Sequence, residues 1–428
     1  MASFGQMPVL ADEQQRYARG LATREDNDSH YDEARRSRTV QRYARMHVQK
    51  LTLGQMVAYG RDMTEGKLIK SARHLHRELP VRLAQRIVDF QSQPYAVISN
   101  PYFKQVFRMY HDAFDRFRSF PNITNMEEER RFTKLVETMV AEHISVIPIL
   151  GKGLAEVRGY SSVESDFMDR LLMTRISRRV LAEQHIALHK ALHKAKLRRN
   201  STMTKATRDT IGVIRLECRL EKTLRRCFDK AATICERTYG YHPRLEIEGQ
   251  ADAALSYIPV HLEYMILELM KNAMRGTVEF AERQSAGGGA GAGAEFYTEL
   301  MASRPIVATL AQADGYASLR LSDRGGGIPP AIEDQVWNYG YSSVGAVDDH
   351  VPDASAVLGG FGAGGIAPNA AVTDPDPIAG LGFGLPLAQC YARYFGGSIR
   401  LSSMPGHGTD ALLRLNTSGE VVEQVALL

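Results

Sequence analysis

Glu268 and Asn272 stand four residues apart in the run Glu268-Leu269-Met270-Lys271-Asn272-Ala273-Met274-Arg275. Leu262, Met265, Ile266 and Leu269 recur at helical spacing and no Pro or Gly intervenes before Gly276, so a helix is predicted with both side chains on one face. An amide oxygen is a hard ligand suited to Mg²⁺, which keeps several waters and takes few protein groups. A carboxylate beside it can orient or deprotonate a nucleophile. Taken alone, such a pair is more often a solvated helix face. Three later stretches give it a context. Asp323-Arg324-Gly325-Gly326-Gly327 follows an alternating segment, Ala317, Leu319 and Leu321, that reads as a strand. Gly380-Leu381-Gly382-Phe383-Gly384-Leu385-Pro386 opens another helical run, and Gly408-Thr409-Asp410 lies between two alternating segments. Backbone N–H groups at Gly380, Gly382 and Gly384 suit phosphates, with the dipole of the following helix added.

These stretches need elements to hold them. From about Ser37 to Arg199 the pattern is helical, and several helices joined by short polar turns suggest an antiparallel bundle. Phe132, Leu135, Val136, Met139, Val140 and Ile147 follow the spacing of one buried helix face, which Pro148-Ile149-Leu150-Gly151 is expected to interrupt. A second helical run extends from Asp166 through Leu192. The basic, Ser/Thr-rich stretch Lys194 to Arg208 reads as a linker. Beyond it, short alternating strands (Leu245/Ile247, Ile306/Ala308/Leu310, Ala317/Leu319/Leu321, Ile399/Leu401 and Ala411/Leu413/Leu415) mix with helices. That combination predicts a mixed sheet with helices on one face. The expected division is 1–36 as an N-terminal segment, 37–200 as the bundle and 201–428 as the α/β domain. Two Gly/Ala-rich segments, 285–294 and 345–379, read as insertions.

Composition removes several classes. At 428 residues and 44% hydrophobic, the chain can bury sizeable cores in two or three domains. A net charge of +4, with no dense basic stripe, does not point to nucleic acid. No apolar run reaches membrane-spanning length. Cys218, Cys227, Cys235 and Cys390 form no CxxC pair, so reduced thiols are expected. Residues 1–30 carry Arg16, Arg19 and Arg24 but also Asp12, Glu13, Glu25 and Asp26, a poor presequence composition. There is no GxxxxGK[ST] loop, no VAIK, HRD and DFG set, and no dinucleotide fingerprint. His185, His189 and His193 form an i, i+4, i+8 row that lacks a completing Cys or carboxylate, so a structural role is expected over zinc.

Acid and Asn on a helix, Asp-x-Gly-x-Gly at a strand end, a Gly-x-Gly-x-Gly helix start and a hairpin Gly-Thr, in that order, resemble the ATP site of one superfamily. Its members are gyrase, the ninety-kilodalton heat-shock chaperones, histidine kinases and mismatch-repair ATPases. The runs ELMKNAMRGTVE, LSDRGGGIP, NYGYSS, GLGFGLPLAQCYARYFGGSIRLSSMPGHGTDALLRL and DFMDRLLMTRISRRVLAEQHIAL narrow the match. They resemble the mitochondrial 2-oxoacid dehydrogenase kinases, which comprise the pyruvate dehydrogenase kinases and the branched-chain 2-oxoacid dehydrogenase kinase. The likeness spans roughly Ser37 to Leu415.

The resemblance implies a two-domain α plus α/β protein: a regulatory helical bundle, then an α/β-sandwich ATP-binding domain of the histidine-kinase-like, Bergerat type. It implies ATP and Mg²⁺ as cofactors, Glu268 as catalytic base and Asn272 as the Mg²⁺ ligand. Arg275, Asp323, Gly325, Gly327, Ser342, Gly380, Gly382, Gly384, Leu385 and Thr409 would line the nucleotide, Asp323 accepting from the adenine amino group. Residues of about 340–384 would form the ATP lid. It further implies phosphorylation of a serine on a dehydrogenase alpha subunit, inactivation of that complex, docking on lipoyl domains, homodimers and a matrix location. Tyr264 and the end at Leu428 look branched-chain in type, whereas Asn338-Tyr339-Gly340-Tyr341-Ser342-Ser343 and Tyr391-Ala392-Arg393-Tyr394-Phe395 look pyruvate in type. A non-catalytic nucleotide-sensing scaffold and a histidine autokinase, with His76-Arg77-Glu78-Leu79-Pro80 as a distant phosphoacceptor echo, are the alternatives.

Overall fold

The computed structural model describes residues 38–157, 165–197, 209–286, 294–341 and 382–425. Its first part is helical: α1 (Arg38–Ala44), α2 (Leu53–Gly60), α3 (Glu65–Gln91), α4 (Tyr95–Ser99), α5 (Pro101–Ser119), α6 (Met126–Glu142), α7 (Val146–Val157) and α8 (Ser165–Leu197). Several starts are written into the sequence. Thr52 with Gln55, and Asn125 with Glu128, make capping boxes, and Asn100 caps a helix whose first residue is Pro101. On α5, Phe103, Val106, Phe107, Tyr110, Ala113, Phe114 and Phe117 are buried at three-four spacing, which glues α5 to α3.

One expectation is corrected here. Phe132, Val136 and Met139 do share a buried face of α6, but Ile147 lies on a separate helix. The break is a short 3-10 turn, His143–Ser145, and Pro148 through Gly151 sit inside α7 rather than interrupting a helix. Pro148 is in the first turn, where its missing N–H has no intrahelical acceptor to lose.

The second part contains β1 (Thr210–Ile211), β2 (Ile214–Arg219), α9 (Leu220–Tyr239), β3 (Leu245–Gly249), β4 (Ala254–Tyr257), α10 (Pro259–Ala286) and α11 (Ala294–Ala302). These are followed by β5 (Ile306–Ala313), β6 (Tyr316–Ser322), α12 (Gly384–Tyr394), β7 (Ser398–Met404) and β8 (Gly408–Asn416). Five strands form a mixed sheet in the order β3-β5-β6-β8-β7, with β3 parallel to β5 and the other pairs antiparallel. Ala317, Leu319 and Leu321 of β6 and Ala411, Leu413 and Leu415 of β8 are buried, and the register sets Leu319 opposite Leu413. Helices α10 and α12 pack on these strands and on each other. A separate small sheet, β1-β2-β4, escapes the sequence pattern, since β1 has only two residues.

After β8 the chain returns to the bundle. Gly54 N–H donates to the Gly419 carbonyl at 2.8 Å, and Thr52 bridges to Val422. Glu423 is 1% exposed. Its carboxylate accepts from Arg82 of α3 (2.7 and 3.1 Å), Ser177 of α8 (2.8 Å) and Tyr394 of α12 (2.6 Å). All four cysteines are buried free thiols, and burial pushes Cys218 up to about 11 and Cys227, Cys235 and Cys390 up to about 12. No described helix is long and apolar enough to cross a membrane.

Candidate active site

Helix α10 supplies one wall. Glu268 is buried, and its Oε1 accepts from Lys271 Nζ at 2.8 Å in an i, i+3 ion pair. Its other oxygen faces the start of α12, where a Cβ on Gly384 would lie 2.3 Å from Oε2. Only glycine lets the carboxylate reach the helix start. Nothing in the sequence singles out Lys271, because Glu-x-x-Lys is an ordinary surface pairing until both partners are seen to be buried. Asn272 is exposed, and its carboxamide has no hydrogen-bond partner among the described residues. An amide oxygen in that position fits a hard cation such as Mg²⁺. Arg275 is turned along the helix: its Nε donates to Glu279 Oε1 at 2.7 Å, an oxygen that also accepts from Tyr239 at 3.2 Å.

The loop after β6 supplies the second wall. Asp323 Oδ1 accepts from the N–H groups of Gly325 (2.8 Å) and Thr409 (3.1 Å), and the Asp323 N–H donates to the Thr409 carbonyl at 3.0 Å. Oδ2 has no partner among the described residues. Burial raises the Asp323 carboxyl to about 6, helped by nearby Asp410 and opposed by the two amides. Gly325 packs directly on α10, where its Cβ would lie 2.7 Å from the Gly276 carbonyl carbon. Two glycine backbones meet there with no side chain between them, inside the run of α10. Gly327 has φ +73°, and a Cβ there would strike the Met404 carbonyl oxygen at 2.4 Å.

Ser403 completes this wall. Its Oγ accepts from Ile328 N–H at 2.6 Å and lies 3.4 Å from Thr409 Oγ1. Nothing in the local sequence marks Ser403: Thr409 faces it across the β7–β8 hairpin, but the Ile328 N–H comes from 75 positions away. At the third side, Gly382 accepts from Gly340 N–H at 2.9 Å, and Leu385 follows Gly384 in the first turn of α12. Ser342, Gly380 and most of the 340–384 segment lie outside the described residues.

The structure thus brings Glu268 against Gly384, and gathers Asp323, Gly325, Gly327 and Thr409 into one cluster. Asn272 stands on α10 between these two groups. In the histidine row, His185 and His189 both meet Glu129, a carboxylate that the spacing did not offer. His185 sits between Ser71 (2.9 Å) and Thr133 (3.0 Å), and His189 pairs with Glu129 at 2.9 Å. Among the described residues no cluster of His, Cys, Asp and Glu could hold a metal ion.

A helix with a buried carboxylate laid over a mixed sheet, facing a strand-end acid and a glycine-walled helix start, defines an ATP-binding domain. Residues 257–418 match the family model described as histidine kinase-, DNA gyrase B- and HSP90-like ATPase. Residues 50–215 match the model described as mitochondrial branched-chain alpha-ketoacid dehydrogenase kinase. A mitochondrial pyruvate dehydrogenase (acetyl-transferring) kinase of Arabidopsis thaliana is 30% identical over 393 residues, covering 90% of this chain and 94% of that protein. Isozyme 4 of Rattus norvegicus is 29% identical over 405 residues (91% and 86%), and isozyme 3 of Homo sapiens is 29% identical over 403 residues (90% and 87%). The chain belongs to the mitochondrial 2-oxoacid dehydrogenase kinase family, a family of ATP-using protein kinases.

Proposed function

We propose that this chain is a serine kinase of the mitochondrial matrix that phosphorylates, and thereby inactivates, the alpha subunit of a 2-oxoacid dehydrogenase complex. What carries this reading is the buried Glu268–Lys271 pair set against the glycine at the start of α12. A protein that only sensed nucleotide would have no use for a carboxylate fixed there. Glu268 takes or orients the proton of the incoming serine hydroxyl. Asn272, together with the phosphates, would hold Mg²⁺, which would offset charge on the transferring phosphoryl group. In this reading Gly380, Gly382 and Gly384, the first turn of α12 with Leu385, and Arg275 bind the phosphates. Ser342 contributes from the lid of about 340–384. Asp323 Oδ2 receives the adenine amino group, with Gly325, Gly327 and Thr409 around the base. The bundle docks on lipoyl domains of the acyltransferase core, and the kinase works as a homodimer. The autokinase alternative loses ground at His76, whose ring is half-buried between Phe120 and Phe132.

Asp323 gives the binding a pH signature. Its carboxyl, raised to about 6, is ionised and able to accept above that pH and protonated below it. Nucleotide affinity is therefore expected to hold between pH 7 and 8 and to fall below pH 6 by at most about tenfold per unit. Titration of ADP across pH 5 to 8 checks this, and a flat profile would detach Asp323 from the nucleotide.

The substrate is tested by transfer from labelled ATP with Mg²⁺ onto purified pyruvate and branched-chain dehydrogenases separately. The bundle matches a branched-chain kinase model while the whole-chain relatives are pyruvate dehydrogenase kinases, so both are needed. Label on the alpha-subunit serine of one complex supports the reading and selects the substrate. Label on neither, with ATP still bound, overturns it in favour of a scaffold.

A further inference from the structure

We infer that Asp169, on bundle helix α8, is a positioning residue for the phosphate-facing start of α12, acting through Tyr339. The inference rests on the ATP-site reading above. Asp169 Oδ1 accepts from the Tyr339 hydroxyl, and Oδ2 lies 3.4 Å from an Arg393 guanidinium nitrogen. The same hydroxyl lies 3.2 Å from Cys390 Sγ, and the Tyr339 ring meets that of Phe383 with 5.6 Å between centroids. One carboxylate from the bundle therefore grips two pieces of the ATP-binding domain that are far apart in sequence: Tyr339, and α12 at Arg393.

Those two pieces meet in a contact with no slack. Gly340 N–H donates to the Gly382 carbonyl at 2.9 Å, and a Cβ on Gly382 would lie 2.4 Å from the Gly340 carbonyl carbon. Both glycines have positive φ, +72° and +73°, so neither can be replaced without strain. Two residues past Gly382, Gly384 abuts the Glu268 carboxylate. A displacement of Tyr339 must therefore move Gly382 and Gly384, which face the phosphates and the base. A neutral packing role does not account for the polar grip. Tyr339 is half-buried, and burial, with Cys390 and Asp169 beside it, pushes its pKa far up, so its hydroxyl stays a donor in need of an acceptor. The neighbouring Cys390 is a weak acceptor, its thiol held protonated by burial, which leaves Asp169 as the strong one.

The chain carries its own reporter. Trp337, the single Trp, sits in a turn (Gln335–Trp337) that packs on α12, two residues before Tyr339. The test uses the full chain and three variants, Asp169→Ala, Asp169→Asn and Tyr339→Phe. ADP binding is followed by Trp337 emission and by calorimetry, alongside KM for ATP and kcat. Asp169→Ala and Tyr339→Phe should each weaken ADP binding and raise KM for ATP about tenfold, with kcat at saturating ATP changed by less than about threefold. Asp169→Asn still accepts from Tyr339 and should recover most of that affinity. Thermal melting keeps the variants comparable, and Tyr339→Phe retains the ring packing if Asp169→Ala proves poorly folded. Unchanged Kd and KM in Asp169→Ala and Tyr339→Phe would overturn the inference, as would loss of kcat at constant KM. Failure of the unmodified chain to bind ADP would remove the ATP-site reading itself, and the inference with it.

Discussion

Glu268→Gln is expected to leave ADP affinity within a few-fold and to cut phosphoryl transfer by about a hundred- to ten-thousandfold. Gln has nearly the shape of Glu, which matters because Gly384 leaves no room for a bulkier or differently angled group. Its amide oxygen can still accept from Lys271, so the local packing of α10 against α12 survives. What disappears is the capacity to take a proton from the serine hydroxyl. The loss should therefore appear in kcat and kcat/KM together, the pattern of an interaction made only in the transition state. Asn272→Ala fails one step earlier. It removes the exposed amide oxygen, and Mg²⁺-dependent nucleotide binding should be abolished while folding is untouched, because that carboxamide holds nothing else together. Single-turnover transfer from labelled ATP, paired with ADP calorimetry with and without Mg²⁺, separates the two variants. Wild-type transfer by Glu268→Gln would end the assignment of Glu268 as base, leaving positioning and electrostatics to supply the rate.

What the sequence discloses and what it hides divide along the range of the interactions. The alternation of β5, β6 and β8 is a local property, and so is the single face shared by Glu268 and Asn272; both are legible from spacing alone. The acid-and-glycine loop was legible as a motif, but not the reason for each glycine. Gly325 is small because Gly276 is its neighbour, and Gly384 because Glu268 is. Lys271 looked like one more surface charge, since burial is not a sequence property. Ser403 depends on an Ile328 N–H 75 positions away, and Ile147 on a 3-10 turn that shifts the helical phase between α6 and α7. The contacts between bundle and sheet domain were wholly hidden. Asp169 to Tyr339 and Arg82 to Glu423 join residues separated by 170 and 341 positions.

The second of those contacts carries the largest expected effect on stability. Arg82 is fully buried, and Glu423 answers its charge at 2.7 Å while also accepting from Ser177 and Tyr394. Glu78 stands further off, at 3.7 Å. Glu423→Ala removes the main counter-charge, strands two hydroxyls and leaves a guanidinium in a dry interior, at a cost of about 3–5 kcal/mol. Urea unfolding should show that loss as a lower midpoint at unchanged slope. The replacement Arg82→Met combined with Glu423→Leu should cost much less, because no charge is then left unanswered. Burial alone would raise the Glu423 carboxyl, but the charge and hydrogen bonds of Arg82, with Tyr394 and Ser177, outweigh it and hold the group below its ordinary value. A carboxyl lowered by folding adds stability above its unfolded pKa and loses it as pH falls through the folded one. The unmodified chain should thus lose stability progressively below about pH 4.5, whereas the Met/Leu pair should lose less over the same range. If Glu423→Ala unfolds within about 1 kcal/mol of the unmodified chain, the C-terminal segment is an appendage. The expected loss would instead make it a clasp, one that ties the bundle to α12.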